Sequence, residues 1–179
     1  MLNKKQIDRL PKATIDALLS ATPGNSGSGT NKEWTRAIFE ALVALGKDFN
    51  LKIRPTDGPY KGEYLVDFVL WDEGYGPRLA CECQWLHWRH PGKEGVGWAF
   101  DKLRGVKSDL KVLVFDADFE VESIFRSYLL GIALHYTTEQ YIFVQFDGSK
   151  AKAFSWTPLH NGVHRRKEIV FELHKANAT

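Results

Sequence analysis

Apolar and polar positions alternate along the chain with two periods, and the switches between them mark out its elements. Residues 2–20 place Ile7, Leu10, Ile15, Leu18 and Leu19 on one side of an amphipathic helix, with Pro11 as a break or kink. The stretch TPGNSGSGTN (22–31) reads as a flexible linker. Residues 31–46 give the clearest helix: Trp34, Ile38, Ala41, Leu42 and Leu45 follow the 3.6 period, Asn31 caps the start and Gly46 ends it. Strands are predicted at 50–54, 63–71 and 78–86, the last two joined by the turn-rich DEGYGP. A helix over 95–108 turns Val96, Ala99, Phe100, Leu103 and Val106 inward. A buried strand (110–117), a helix (121–136) and strands at 141–146 and 151–156 follow. The segment EIVFEL (168–173) fits strand or helix, and no internal repeat is present. Helices alternating with strands as apolar as Val112–Phe115 predict a sheet covered on both faces. The fold class is α/β or mixed α+β, a three-layer α/β/α sandwich around a central mixed sheet. Residues 1–30 form an N-terminal helix and linker, and 31–179 a single domain.

Composition narrows the class of protein. At 179 residues and 44% hydrophobic content, the chain can bury a substantial core in one domain. No apolar run approaches the roughly 20 residues that span a bilayer, and MLNKKQIDRL lacks the apolar centre of a secretory signal. Cys81 and Cys83 lie too close along one strand to staple anything, so a reducing cytoplasm is expected. Gly24 and Gly29 have the glycine spacing of a phosphate loop. Thr30 stands at its lysine position, however, and a helix precedes it where a strand is required. The formal net charge of +2 excludes a strongly basic arm but conceals a segregation. Residues 56–82 hold six acids against two bases. Residues 86–111 hold six bases against three acids, and residues 148–167 hold five bases and no acid. An acidic centre between basic flanks suits a metal-dependent reaction on a polyanion. For any single lysine, an ordinary solvated surface is the equal alternative.

The chemistry concentrates on two strands. LVDFVLW is apolar except for Asp67, and a carboxylate in that setting is costly unless paired, ligated or at an opening. Fifteen residues later, the period of two in ACECQW puts Glu82 and Gln84 on one face and Cys81, Cys83 and Trp85 on the other. Either carboxylate alone reads best as a satisfied acceptor or ion pair. Together on neighbouring strands, after a helix carrying Glu33 and Glu40, they suit Mg²⁺ or Mn²⁺, which take carboxylates and waters.

This order (helix with Glu, strand with Asp67, strand with Glu82-Cys83-Gln84, helix, strand) resembles the PD-(D/E)XK nuclease superfamily, the fold of many restriction endonucleases. The resemblance covers residues 31–117, about half the chain, and its short motif gains specificity from its placement on hydrophobic strands. It implies a restriction-endonuclease-like fold and a metal held by Asp67, Glu82 and the main-chain carbonyl of Cys83. It also implies a further acid from the first helix, Glu40 or Glu33. Position 66 is Val where the superfamily's name has Pro, and Gln84 stands where the pattern has Lys. Glutamine can orient a water through hydrogen bonds but cannot supply the cation. Lys102 of the following helix is the first candidate to supply it, against an ordinary solvated position.

The segment QWLHWRHPGKEGVGW (84–98) holds three of the six tryptophans. Trp85 and Trp98 are expected in the core, and Trp88 and Arg89 are candidates for nucleic-acid contact, with Arg165, Arg166 and Lys167 further along. His87 and His90 lack two further ligands for zinc, and the cysteines read as small buried hydrophobes. Together with the charge pattern, the resemblance implies a cytoplasmic Mg²⁺- or Mn²⁺-dependent endodeoxyribonuclease acting on DNA rather than RNA, with no membrane partner, compatible with a homodimer. Its rival is a catalytically inactive module of the same fold that binds nucleic acid or a protein.

Overall fold

The computed structural model describes residues 2–21, 30–56, 65–85, 93–116, 139–147, 150–158 and 164–172. Within them three helices and seven strands make a mixed α+β fold. Helices α1 (Lys4–Leu19) and α2 (Asn31–Asp48) precede strands β1 (Lys52–Arg54), β2 (Phe68–Asp72) and β3 (Gly76–Gln84). Helix α3 (Lys93–Arg104) leads to β4 (Leu110–Asp116), β5 (Gln140–Asp147), β6 (Lys150–Pro158) and β7 (His164–Glu172). The helix expected at 121–136 lies outside the described residues, as does most of the Gly/Ser stretch.

All seven strands form one sheet whose spatial order is their chain order, β1 to β7. β3, β4 and β5 are parallel, and the outer pairings β1–β2, β2–β3, β5–β6 and β6–β7 are antiparallel. Side chains alternate between two apolar cores. On one face Phe68, Leu70, Leu79, Cys81, Val112, Val114, Ile142 and Val144 meet Leu18 of α1 and Ile38 and Leu42 of α2. On the other, Ala80, Leu113, Phe115 and Phe143 meet Val96, Ala99, Phe100 and Leu103 of α3. α1 is therefore built into the main core. Its Leu18 is fully buried, a burial that contributes about 2 kcal/mol.

Local chemistry moves several helix boundaries from their sequence-based positions. α1 starts at a capping box in which the Gln6 amide donates to Asn3 Oδ1 (2.9 Å) and the Asn3 amide to Gln6 Oε1 (3.0 Å). It runs on through Pro11 without a break. α2 is capped by Thr30 rather than Asn31, with Glu33 closing the box from the third position. It also passes Gly46 and ends at Asp48, with Phe49 as its C-cap and Asn50, whose φ is 53°, turning the chain away after it. Gly46 answers a different need, the close approach of the next segment. A Cβ there would lie 3.0 Å from the Leu51 carbonyl oxygen and 3.3 Å from Leu70 Cδ2, and the Leu51 amide donates to the Gly46 carbonyl at 2.7 Å. Gly46→Val is expected to lower stability by about 2 kcal/mol despite valine's better helix propensity, which urea unfolding followed by circular dichroism will measure. The ambiguous last segment is a strand, β7, paired along its length with β6.

Two buried polar networks tie the sheet to its surroundings. Arg78 Nη1 donates to Asp109 Oδ2 (2.6 Å), and Arg78 Nε donates to Asp72 Oδ2 (3.4 Å). Asp72 also accepts from the amides of Leu2 (3.2 Å) and Gly74 (3.1 Å). Burial alone would raise the Asp72 carboxyl's pKa, but those amides and Arg78 hold it below the usual carboxylate range. At the start of β4 and β5, the Lys111 ammonium is 2% exposed and pairs with Glu139 Oε2 at 2.6 Å. The same carboxylate accepts from the Tyr141 hydroxyl (3.0 Å), and Lys111 Nζ also reaches the Arg104 carbonyl at the end of α3 (3.4 Å).

Candidate functional site

The two carboxylates singled out by the sequence meet where β2 begins and β3 nears its end. Asp67 is not inside a strand as its apolar flanks suggested. It sits in a bend over residues 65–67, immediately before β2. The bend turns its amide away from the ladder, and that amide donates to Glu82 Oε2 at 3.0 Å. In return Asp67 Oδ2 accepts from the Cys83 amide at 2.8 Å. Each segment thus binds the other's carboxylate through a backbone N–H, which fixes one oxygen of each.

Glu82 points to the α3 side of the sheet, in step with Ala80. Cys81, Cys83 and Trp85 take the opposite side, as the period of two predicted. Glu82 is 3% exposed. The ammonium of Lys102, on α3, forms an ion pair with Glu82 Oε1 and lies 4.8 Å from the centre of the Trp98 ring one turn earlier. Burial, and then the neighbouring Asp67 charge, push Glu82 up to about 7 against the pull of Lys102. Burial likewise raises Asp67, opposed by the Cys83 amide and by Lys102. Burial pushes the Cys83 thiol up as well, with Cys81 and the two carboxylates adding to it. Gln84 Nε2 donates to the Trp85 carbonyl at 3.1 Å, leaving its amide oxygen as the group able to orient a water.

The acids of α2 are not brought to this pair. Glu33 is occupied at the α2 N-terminus, where the Thr30 amide and hydroxyl hold it below the usual carboxylate range. Glu40 lines a cavity of about 560 Å³ between α1 and α2, beside Ala13, Ala17, Ala37 and Ala41. The reason is geometric. α2 turns Ile38 and Leu42 toward the Phe68–Leu70–Cys81 face, so Glu40 between them faces α1, and the sheet separates α2 from α3. Lys102, by contrast, is delivered to Glu82. Trp98 corrects a second expectation: it is 54% exposed and not in the core. The α3 stripe of Val96, Ala99, Phe100 and Leu103 leaves Trp98 and Lys102 together on its flank, a spacing readable in the sequence. Trp85 is half-buried, donates to Thr35 Oγ1 at 2.7 Å and packs against Trp34 and Phe146. Trp88, Arg89, His87 and His90 lie outside the described residues. Arg165, Arg166 and Lys167 fall on β7, opposite Thr157, Trp156 and Ser155.

Among the described residues no group of three or more His, Cys, Asp or Glu side chains is arranged to hold a metal ion. Two carboxylates converge here, which suits a cation that keeps several waters, as Mg²⁺ does. No described helix is long and apolar enough to cross a membrane.

No family model and no curated protein matches the chain. Among solved structures, the YaeQ protein from Xanthomonas axonopodis pv. citri aligns over 82% of this chain and 83% of its own. The identity is 15% and the TM-score 0.34, a likeness too slight to assign fold or function.

Proposed function

We propose that the protein is a divalent-metal-dependent nuclease with a restriction-endonuclease-like core, a three-layer α/β/α sandwich, hydrolysing phosphodiester bonds in cytoplasmic DNA. The observation that carries the reading is the reciprocal clasp of Asp67 and Glu82, with Lys102 set against Glu82. A buried Glu82 and a half-buried Asp67, both with raised proton affinity and accepting from the amides of Asp67 and Cys83 respectively, are costly to build for stability alone. A bound Mg²⁺ or Mn²⁺ would relieve that cost and supply hydroxide and charge stabilisation. Asp67, Glu82 and the Cys83 carbonyl would hold it. Gln84 would orient the attacking water through its amide oxygen, and Lys102 would supply the cation that Gln84 lacks at the motif position. The basic run on β7 and residues Trp88 and Arg89 are the proposed contacts to the nucleic-acid backbone.

One observation favours a second reading, a non-catalytic module that binds nucleic acid or a protein. Lys102 already offsets part of the charge of the pair without a metal. The two readings separate when supercoiled plasmid, linear duplex, single-stranded DNA and RNA are incubated with the protein in Mg²⁺, Mn²⁺ or EDTA. Cleavage is expected with either metal, and is expected to disappear in EDTA and in Asp67→Asn. No cleavage of any substrate with either metal would refute the nuclease reading and leave the binding module.

A further inference from the structure

Lys102 Nζ has two neighbours of opposite kind. Inward lies Glu82, whose side chain is 4% exposed; outward lies the indole of Trp98, itself open to solvent. The Lys102 side chain is 20% exposed, so the ammonium sits on the solvent side of the carboxylate it neutralises. A lysine stem is four carbons long and flexible, and its head can move several ångströms without moving the helix. A cation shifted away from Glu82 toward the indole face keeps an electrostatic partner there.

A divalent ion bound to Glu82 at the usual distance of about 2.1 Å would be forced against this ammonium. The two cations repel strongly in surroundings as buried as these. Two ionised carboxylates with one ammonium carry a net charge of −1, and with one divalent ion alone they are neutral. With both cations held in place the charge becomes +1 in a poorly hydrated position. Exchange is the low-cost outcome.

We infer that Lys102 is a displaceable counter-ion. It holds the cation position of the Asp67–Glu82 pair in the metal-free protein, yields it when a divalent metal binds, and stays beside the site against Trp98. There the released ammonium faces solvent and meets an incoming anion such as a phosphate oxygen. This rests on the metal-dependent reading above, and it assigns Lys102 a positioning role that opposes metal binding even though the same residue serves the substrate.

The test is calorimetric titration of Mn²⁺ into the folded protein at one fixed pH for all variants, with no substrate present. Lys102→Gln and Lys102→Met, the second keeping the aliphatic stem, are expected to bind Mn²⁺ about tenfold more tightly than the unaltered protein. Adding Asp67→Asn to either is expected to abolish the gain, which locates it at this pair. Thermal melts confirm that each variant is folded. Equal affinity in the unaltered and Lys102 variants, or weaker binding in the variants, overturns the exchange while leaving metal dependence intact. Absence of Mn²⁺ binding in every protein overturns both.

Discussion

Glu139→Ala is expected to lower the free energy of unfolding by about 3–5 kcal/mol, the largest loss among the substitutions considered. The reason is the partner left behind. Lys111 is almost wholly enclosed, and its ammonium has Glu139 Oε2 at 2.6 Å as its anion, with the Arg104 carbonyl more distant at 3.4 Å. Removing the carboxylate strands a positive charge among the apolar side chains of β4, β5 and α3 and removes the hydrogen bond that Glu139 accepts from the Tyr141 hydroxyl. The loss thus comes from desolvation rather than from the strength of the pair itself. The double variant Lys111→Met/Glu139→Gln removes the charge and keeps an acceptor for Tyr141. It is expected to recover most of the loss. Guanidinium unfolding of the parent, the single and the double variant measures both, and a double variant as unstable as the single one would refute the account.

Glu82→Gln is expected to act in the opposite direction and only above a certain pH. In the unfolded chain the carboxyl ionises near pH 4.5; in the folded protein burial and Asp67 hold its proton until about pH 7. Between those values the folded state binds a proton that the unfolded state has lost, so stability falls as pH rises through the window. At about 1.4 kcal/mol per pH unit, the accumulated penalty above pH 7 is about 3 kcal/mol. Glutamine carries no charge to desolvate and still accepts the Asp67 amide. The variant should match the parent near pH 4 and become progressively more stable than it up to pH 7.5, then run parallel. Denaturation midpoints across pH 4–9 give the difference curve, in which the titration of other groups cancels. A flat difference would mean that Glu82 is not held in its protonated form. Such a gain in stability on removing a carboxylate is the pattern expected where a site is maintained against its folding cost.

The parts legible in the sequence were those governed by one strong local rule. Strands such as Leu110–Asp116 and Gln140–Asp147 stand out as short apolar runs, and the period of two in Ala80–Trp85 correctly separated Glu82 from Cys81 and Cys83. The local structure at Asp67 was not legible: apolar residues flank it on both sides through Leu65–Trp71, whereas the backbone bends there and gives its amide to Glu82. That hydrogen bond is a tertiary fact with no periodic signature. The acids of α2 failed for a comparable reason. Their seven-residue spacing puts Glu33 and Glu40 on one flank of a helix, but only the packing of α2 between the sheet and α1 shows where that flank points. The Thr30–Glu33 capping box was readable and would have assigned Glu33 to the helix end. Lys102 and Trp98 were jointly encoded by their four-residue spacing off the α3 stripe, although core packing was the default for a tryptophan. Arg165, Arg166 and Lys167 lie on a strand at the margin of the described sheet.

The coincidence of strand order with chain order has a consequence for how the molecule is made. A sheet laid down in sequence never requires a strand to slip between two that are already paired; each arrival extends a finished margin. A chain emerging from the ribosome amino end first can therefore add β2 to β1, β3 to β2, and so on as each is released. Asp67, Glu82 and Lys102 all precede β4, so the charged cluster can assemble during synthesis, before the second half of the sheet exists to shield it.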